Sequence, residues 1–194
     1  MSLPDKILLA SGNQHKIEEL RQVLKPLGIK LISTKIFKDA EEVVEDRPDL
    51  EGNALKKARY WHQKSGLPSL ADDTGLEVDA LGGAPGVRSA RYAGENATYE
   101  QNVDKLLREL DGKNNRKAQF RTVIAFITDD GEKLFEGVCG GKIIEMPRGG
   151  KGFGYDPVFR PENYDQTFAE LSSHEKNKIS HRGRALQKFI EYLS

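Results

Sequence analysis

Two adjacent carboxylates, Asp72 and Asp73, stand at the end of a short apolar run and just ahead of several glycines. Two negative charges side by side repel each other unless a cation or hydrogen-bond donors lie nearby. The pair therefore indicates a divalent-metal site or a general base. Because Asp and Thr are also ordinary turn residues, a capped turn explains the same letters equally well. If the strand continues, the two side chains point to opposite faces, so at most one of them serves a given site.

A second candidate site follows the first apolar run, Ile7–Ala10, which has the pattern of a buried strand. A loop containing Gly12 comes next, and Lys16 lies near the start of an amphipathic helix. Such a strand, loop and helix start form an anion site, because the first free amides of the helix point at the loop. Taken alone, the loop is explained better by Ser11 or Asn13 acting only as the helix N-cap. Together with the two carboxylates, it favours phosphate binding.

The third candidate site is the glycine-rich loop Gly149–Pro157. Glycines on both sides of Phe153 leave its ring unshielded, so the ring can form a stacking surface for a planar ligand. A glycine turn with a buried aromatic residue is the alternative, but so many glycines cost folding entropy unless the backbone must approach something. Further on, Ser180–Gly183 gathers donors just before a terminal helix, although a solvated basic face is the simpler interpretation of that segment.

The remaining pattern alternates strands and helices that must position these residues. It predicts a helix over Leu50–Ser65, on which Lys56 and Lys57 are most simply explained as exposed. An acidic segment, Asp39–Asp46, precedes that helix, and Thr167–Glu170 resembles a capping box. The other predicted elements are a strand over 29–33, a helix over 99–110, two strands over 118–128 and 133–144 joined by a hairpin turn, and a C-terminal helix.

Composition limits the classes of protein to consider. The chain has 194 residues with 30 basic and 30 acidic side chains, so no net field attracts a polyanion, and nucleic-acid binding would need a local basic patch. The single Cys139 excludes an intrachain disulfide framework and suits a reducing compartment. The chain has no signal-peptide pattern and no apolar run long enough to span a bilayer. We therefore expect a soluble, cytoplasmic protein that binds neither nucleic acid nor membrane.

Six motifs in chain order give the sequence a specific resemblance. They are Ser11-Gly12-Asn13 with Lys16, Asn53-Ala54 with Lys57-Ala58, Ala71–Leu76, Gly82–Tyr92, Gly152–Pro157 and Ser180–Gly183. Together they span nearly the whole chain, which resembles the inosine triphosphate pyrophosphatase family. The resemblance implies hydrolysis of deaminated purine nucleoside triphosphates (ITP, dITP, XTP) to the monophosphate and pyrophosphate. It also implies one nucleoside triphosphate pyrophosphatase domain over residues 1–194.

The resemblance also implies site residues, namely those of this chain that match the family's motifs in position. It implies that Asp73 binds Mg²⁺ and acts as general base, that Thr74 contacts the substrate, and that Lys57 helps to hold the phosphates. The other residues that it implies for the phosphates are Ser11, Gly12, Asn13, Gln14, His15 and Lys16. Those that it implies for the nucleoside are Phe153, Gly154, Tyr155, Asp156, Lys176, His181 and Arg182.

The second metal carboxylate aligns with Glu45, but the sequence departs from the family pattern just after it. Arg47, Asp49 and Leu50 stand where the family usually has Gly, then Ser or Thr, then Phe. Glu42 and Asp46 therefore stay open as alternatives to Glu45. The resemblance further implies an α/β fold with a long, twisted, mixed sheet flanked by helices, in two lobes with a central nucleotide cleft, and a homodimer.

Three other functions stay open from the sequence. The chain could be a sensor that binds purine nucleotides without hydrolysis, or a pyrophosphatase for pyrimidine or other modified nucleotides. It could also be an RNA-binding module that uses Phe153 and the basic segment Lys176–Arg184. The adjacent carboxylates and the neutral net charge argue against RNA binding.

Overall fold

The computed structural model describes residues 4–37, 41 and 43–193, without the side chains of residues 14, 15, 19, 22 and 23. The chain divides into two compact units. Unit 1 comprises Met1–Asp73, Val123–Glu136 and Ala185–Ser194, and unit 2 comprises Thr74–Thr122 and Gly137–Arg184. The boundary along the chain falls between the predicted catalytic residue Asp73 and its neighbour Thr74. The expectation of one domain over 1–194 stays a prediction.

Strands and helices alternate over residues 6–78, as the sequence pattern predicts, and further along the chain strands also follow one another directly. The helices are α1 (Gln14–Leu24), α2 (Leu50–Ser65), α3 (Tyr99–Glu109), α4 (Ser173–Ile179) and α5 (His181–Leu193). The strands are β1 (Lys6–Leu9), β2 (Lys30–Ser33), β3 (Ser69–Val78), β4 (Pro85–Gly86), β5 (Lys117–Thr128), β6 (Gly131–Ile143) and β7 (Phe159–Pro161).

The seven strands form one mixed sheet flanked by helices, which confirms the predicted α/β class. The hydrogen-bonded order is β2-β1-β3-β5-β6-β7, with β4 paired to β3. Strand β1 runs parallel to both β2 and β3, and Leu9 pairs with Leu70 in the second of these ladders. Strands β4 and β7 pair antiparallel with β3 and β6. Because β1 and β3 are parallel neighbours, the loop after β1 emerges at the same sheet edge as the centre of β3.

Each unit has its own hydrophobic core. In unit 1, Leu20 and Leu24 of α1 pack with Ile7 of β1 and Phe189 of α5, all almost completely buried. In unit 2, a cluster of buried side chains includes Leu106 of α3 and the three rings of Phe120, Phe159 and Phe168. The ring centroids of Phe120 and Phe159 lie 4.7 Å apart in an edge-to-face contact.

Strand β3 is longer than the sequence pattern indicates. The adjacent carboxylates were expected where a strand ends and a glycine turn begins, but β3 continues through both of them to Val78. Gly75 permits this, because a Cβ atom there would lie 2.7 Å from the carbonyl oxygen of Gly86 on the neighbouring β4. The glycine therefore serves close strand packing and not a turn.

No helix among residues 4–37, 41 and 43–193 is both long enough and apolar enough to cross a membrane.

Candidate active site

The loop between β1 and α1 is held by its own side chains. Ser11 Oγ accepts a hydrogen bond from the amide of Asn13 at 3.2 Å. Asn13 Oδ1 accepts one from the amide of Lys16 at 3.3 Å, which makes Asn13 the N-cap of α1. Gly12 is exposed, and a Cβ atom at this position would meet nothing within 4 Å. The loop thus has the form of an anion site, and the capping role considered for Asn13 is present as well.

Asp72 and Asp73 lie side by side on β3, and each carboxylate contacts a different lysine. Lys16 Nζ lies 2.9 Å from Asp72 Oδ2, and Lys57 Nζ lies 3.9 Å from Asp73 Oδ1. Lys57 also donates to the main-chain carbonyl oxygen of Asp72 at 2.7 Å. The Lys57 side chain is only 13% exposed, so the simpler explanation of Lys57 as an exposed helix lysine is wrong.

Glu45 reaches the same lysine as Asp73. Lys57 Nζ donates to a carboxylate oxygen of Glu45, whose side chain is about one quarter exposed (28%). The alternative residue Asp46 instead accepts a hydrogen bond from Lys56 at 2.8 Å and is 56% exposed. Of these two carboxylates, Glu45 is therefore the one that shares a cation with Asp73. The other alternative, Glu42, lies outside the described residues.

Asn53 connects the Glu45 segment with α2. Its side chain is fully buried, and its Oδ1 accepts the backbone N–H of Arg47 at 2.9 Å. The same side chain lowers the pKa of Asp73, although less than the lysines do. One amide group thus acts on both carboxylate-bearing segments, residues 45–47 and the centre of β3.

The electrostatics of the site shift the pKa of one carboxyl group, Asp73, towards neutral pH. We call the charged side chains around it the acidic–lysine cluster: Lys16, Glu45, Lys57, Asp72 and Asp73. Burial raises the pKa of Asp73 to about 6, and Glu45 adds to the rise, while Lys57 and Lys16 oppose it. Burial lowers the pKa of Lys57, but the carboxylates of Asp73, Glu45 and Asp72 outweigh it, so the net direction is upward. A carboxylate whose pKa is near 6 can exchange a proton at physiological pH.

Unit 2 carries a second set of polar side chains around an aromatic ring. In the glycine-rich loop, Asp156 Oδ2 accepts the amide of Phe153 at 2.9 Å and the ammonium of Lys176 at 2.6 Å. Asp156 and Lys176 are both more than nine-tenths buried. Gly152 must be glycine, because its φ is +77° and a Cβ atom would lie 2.1 Å from Asp156 Oδ2.

Two cations lie beside the ring of Phe153. Lys176 Nζ is 5.0 Å and Arg182 Cζ is 5.7 Å from the ring centroid, both within cation–π range. Arg182 Nη2 donates to Thr74 Oγ1 at 3.4 Å, and that hydroxyl lies 2.7 Å from Thr122 Oγ1. We call Thr74, Phe153, Asp156, Lys176 and Arg182 the aromatic cluster.

Two residues predicted for the nucleoside, Tyr155 and His181, are almost completely buried. Tyr155 is 4% exposed, and its hydroxyl donates to the carbonyl oxygen of Ser89 at 2.8 Å. His181 is 4% exposed and stacks on Phe120 with ring centroids 4.5 Å apart. Gly154 adopts φ +61° in the same loop, where glycine is favoured.

The predicted site residues thus fall into two groups, and some are not described. The acidic–lysine cluster and the Ser11–Asn13 loop belong to unit 1, whereas the aromatic cluster belongs to unit 2. The side chains of Gln14 and His15 lie outside the described residues. The assignment of these residues to substrate and metal stays a prediction.

Sequence reasoning missed the contacts of three residues. The sequence indicated only that one carboxylate of the Asp72–Asp73 pair is held by hydrogen bonds, and it assigned no role to the side chains of Asn53 and Thr122. A signal for Thr122 is present, because it is a hydroxyl residue at an inward position between Phe120 and Ile124 of an apolar strand. No local signal marks Asp72, since its partner Lys16 lies far away along the chain.

The carboxylates of the acidic–lysine cluster suit a hard divalent cation. Within the described ranges, no group of three or more His, Cys, Asp or Glu side chains is arranged to hold a metal ion. Mg²⁺ in nucleotide enzymes commonly uses one or two protein carboxylates and completes its shell with phosphate oxygens and water. Glu45 and Asp73, both at Lys57, fit a donor set of that kind.

Comparison with known proteins adds independent information. The chain is 52% identical to a dITP/XTP pyrophosphatase of Desulfotalea psychrophila over 93% of its own length and 81% of that protein. It is 47% identical to a dITP/XTP pyrophosphatase of Flavobacterium johnsoniae, with coverage of 97% and 98%. A solved HAM1 protein from Coxiella burnetii matches with a TM-score of 0.91 and 42% identity, covering 97% of this chain and 98% of that one. The model of the Ham1 family matches residues 7–192, and the chain therefore belongs to the Ham1 family.

Proposed function

We propose that this protein hydrolyses deaminated purine nucleoside triphosphates, namely ITP, dITP and XTP, to the monophosphate and pyrophosphate. Relatives that carry the name dITP/XTP pyrophosphatase support the reaction and the substrate class. The observation that carries the proposal is geometric: the adjacent buried carboxylates Asp72 and Asp73 each contact a different lysine, at 2.9 Å and 3.9 Å. Lysines held beside buried carboxylates suit a site that binds phosphate oxygens and positions a water molecule.

The acidic–lysine cluster would bind the triphosphate. Lys16 and Lys57 supply positive charge, and the amides at the start of α1 supply donors that favour an anion. Both lysine side chains are partly accessible, at 15% and 13%, while their carboxylate partners hold them in place. Fixed cations of this kind stabilise charge that builds on phosphate oxygens without having to reorganise during the reaction.

Glu45 and Asp73 would hold Mg²⁺ together with the substrate phosphates. When bound, the ion supplies positive charge that offsets the negative charge developing on the phosphate oxygens. Asp73 would orient and deprotonate the attacking water, and its neighbours Lys57 and Asn53 would keep the carboxylate in place. Attack at the α-phosphorus, which releases pyrophosphate in one step, is implied by the family resemblance.

The aromatic cluster would select the base. Phe153 offers an aromatic surface, and Lys176 and Arg182, which lie over its ring, carry only hydrogen-bond donors. Hypoxanthine and xanthine present a 6-oxo acceptor to such donors, whereas adenine presents an amino donor. A polar mismatch of this kind in a buried site discriminates strongly. Guanine shares the 6-oxo group, so its rejection has to act on the 2-amino group.

We further propose that the protein is a cytoplasmic homodimer that acts on free nucleotides and not on nucleic acid. The balanced charge of the chain supports action on free nucleotides, and the single, buried Cys139 suits a reducing compartment such as the cytoplasm. The dimer rests on the family resemblance. Sedimentation equilibrium at micromolar concentration should give twice the mass of one chain, and the mass of a single chain would refute the dimer.

A nucleotide panel tests the proposed function. Pyrophosphate release should be fastest with ITP, dITP and XTP, should need Mg²⁺, and should fall at least ~10²-fold in Asp73→Asn, as expected for loss of a general base. Glu132→Gln is the matched control, because Glu132 is an exposed carboxylate paired with Arg59 at 2.6 Å. Stoichiometric nucleotide binding without pyrophosphate would indicate a sensor, and a preference for pyrimidine or other modified nucleotides would indicate a different pyrophosphatase. Either result would refute the proposal.

A further inference from the structure

Asp72 forms the most deeply buried carboxylate–lysine contact of the acidic–lysine cluster. Its Oδ2 lies 2.9 Å from Lys16 Nζ, and its side chain is only 2% exposed. Asp73, the next residue, contacts Lys57 instead, so the two neighbouring carboxylates serve different lysines. A carboxylate at this depth requires a charged partner, because an isolated buried charge is strongly unfavourable.

Lys16 is fixed at both of its ends. Its backbone amide donates to the N-cap side chain of Asn13 at 3.3 Å, and its ammonium group lies on Asp72. Asp72 is itself held through its main chain, since its carbonyl oxygen accepts a hydrogen bond from Lys57 at 2.7 Å. The ammonium of a flexible side chain is thereby placed beside the loop that precedes α1.

We propose that Asp72 is a positioning residue for the triphosphate, acting through Lys16. The proposal rests on the function proposed above. An ammonium group has three N–H donors, and the bond to Asp72 uses one of them, which leaves two for phosphate oxygens. Because Lys16 is already ordered before the nucleotide arrives, binding loses less side-chain freedom than it would with a mobile lysine. Asp73 is the reacting carboxylate, and Asp72 prepares the phosphate site.

A purely structural role for the same ion pair makes a different prediction. If Asp72 only stabilised the fold, its replacement would lower the melting temperature whatever residue occupied position 16, and phosphate affinity would not depend on the pair. If Asp72 positions Lys16, its effect on phosphate affinity must disappear when Lys16 is absent. A double-mutant cycle separates the two cases.

The cycle uses Asp72→Asn, Lys16→Met and the double variant. Two quantities are measured for each protein: KM and kcat for dITP with Mg²⁺, and the dissociation constant of inorganic pyrophosphate by calorimetry. Asp72→Asn should raise KM and the pyrophosphate dissociation constant about tenfold while kcat changes much less. In the Lys16→Met background, Asp72→Asn should change either constant less than about twofold.

Controls keep the outcome interpretable. The double variant removes both charges and leaves no isolated buried charge, so folding is retained even if a single variant is destabilised. Asp72→Glu keeps the charge and should recover part of the affinity, and Glu132→Gln on the exposed pair with Arg59 should change neither constant.

The results that overturn the inference are distinct from failure of the proposed function. Equal effects of Asp72→Asn in both backgrounds, or no effect on either constant, would refute the positioning role. If the unmodified protein released no pyrophosphate from any nucleotide, the proposed function would fail instead. In that case the calorimetric measurement with inorganic pyrophosphate would still decide whether Asp72 acts through Lys16.

Discussion

Replacing Asp73 by Asn should stabilise the metal-free protein, although we expect the same change to remove most of the turnover. Burial, opposed mainly by Lys57, raises the pKa of Asp73 from its ordinary value of 3.8 to about 6. The ionised carboxylate therefore destabilises the folded state at neutral pH when no cation is bound. An asparagine of nearly the same shape carries no charge, so the variant avoids this cost and also loses the general base.

The magnitude follows from proton linkage. The pKa of Asp73 is higher in the folded than in the unfolded state, so the protonated Asp73 carboxyl favours folding. This stabilisation is fully present below pH 3.8 and is lost as the pH rises through about 6. The difference between the two pKa values, 3.8 and about 6, corresponds to a loss of about 3 kcal/mol in the free energy of unfolding at pH 8. At pH 4 the difference is below about 1 kcal/mol, because the Asp73 carboxyl of the unfolded chain is still partly protonated there.

Urea unfolding in the presence of EDTA measures this difference. Asp73→Asn should be more stable than the unmodified protein by up to about 3 kcal/mol at pH 8, and the gain should shrink to below about 1 kcal/mol at pH 4. Excess Mg²⁺ should reduce this stability difference between the two proteins at pH 8, because a bound cation favours the ionised Asp73 carboxylate. Equal free energies of unfolding at pH 8, or a gain that does not depend on pH, would refute the reasoning.

Two further predictions concern unit 2. Thr122→Val removes the hydroxyl that lies 2.7 Å from Thr74 Oγ1 and keeps the side-chain shape, so it should narrow the preference for dITP over dATP. The measurement is the ratio of kcat/KM for dITP to kcat/KM for dATP, and Thr122→Val should lower this ratio less than Arg182→Ala does. An unchanged ratio in both variants would contradict the donor role of Arg182. Gly152→Ala should lower stability by roughly 1–3 kcal/mol, because φ there is +77° and the new Cβ would lie 2.1 Å from Asp156 Oδ2. Thermal unfolding measures this, with Gly12→Ala as the control at an open position; equal losses would contradict it.

Elements with strong local signals were predictable from the sequence. The bounds of α2, Leu50–Ser65, are the predicted ones, because Asp49 caps the first turn and Gly66 ends the helix with φ +66°. The hairpin between β5 and β6 was equally clear from its turn residues. Such signals lie within a few residues of the element that they define, so no knowledge of the tertiary fold is needed.

Features that depend on distant contacts were not predictable. The partners of two neighbouring lysines are an example, because Lys56 contacts exposed Asp46 whereas Lys57 is buried beside Glu45. The continuation of β3 past Asp73 depends in the same way on the close approach of a distant strand.

The polar segment near the C-terminus shows a related difficulty. It was interpreted most simply as a solvated basic face, but it contains α4, whose first turn carries a capping box formed by Ser172 and Glu175. The capping box expected at Thr167–Glu170 is a turn in which Thr167 donates its amide to the Glu170 carboxylate at 2.7 Å. Lys176, which the simpler interpretation leaves in solvent, is buried on Asp156.

The central claim is that the acidic–lysine cluster binds the triphosphate, with phosphate oxygens on Lys16 and Lys57. A crystal structure of Asp73→Asn with dITP and Mg²⁺ tests it most directly. We predict phosphate oxygens within hydrogen-bond distance of both lysine ammonium groups. A triphosphate bound away from the two lysines would contradict the claim.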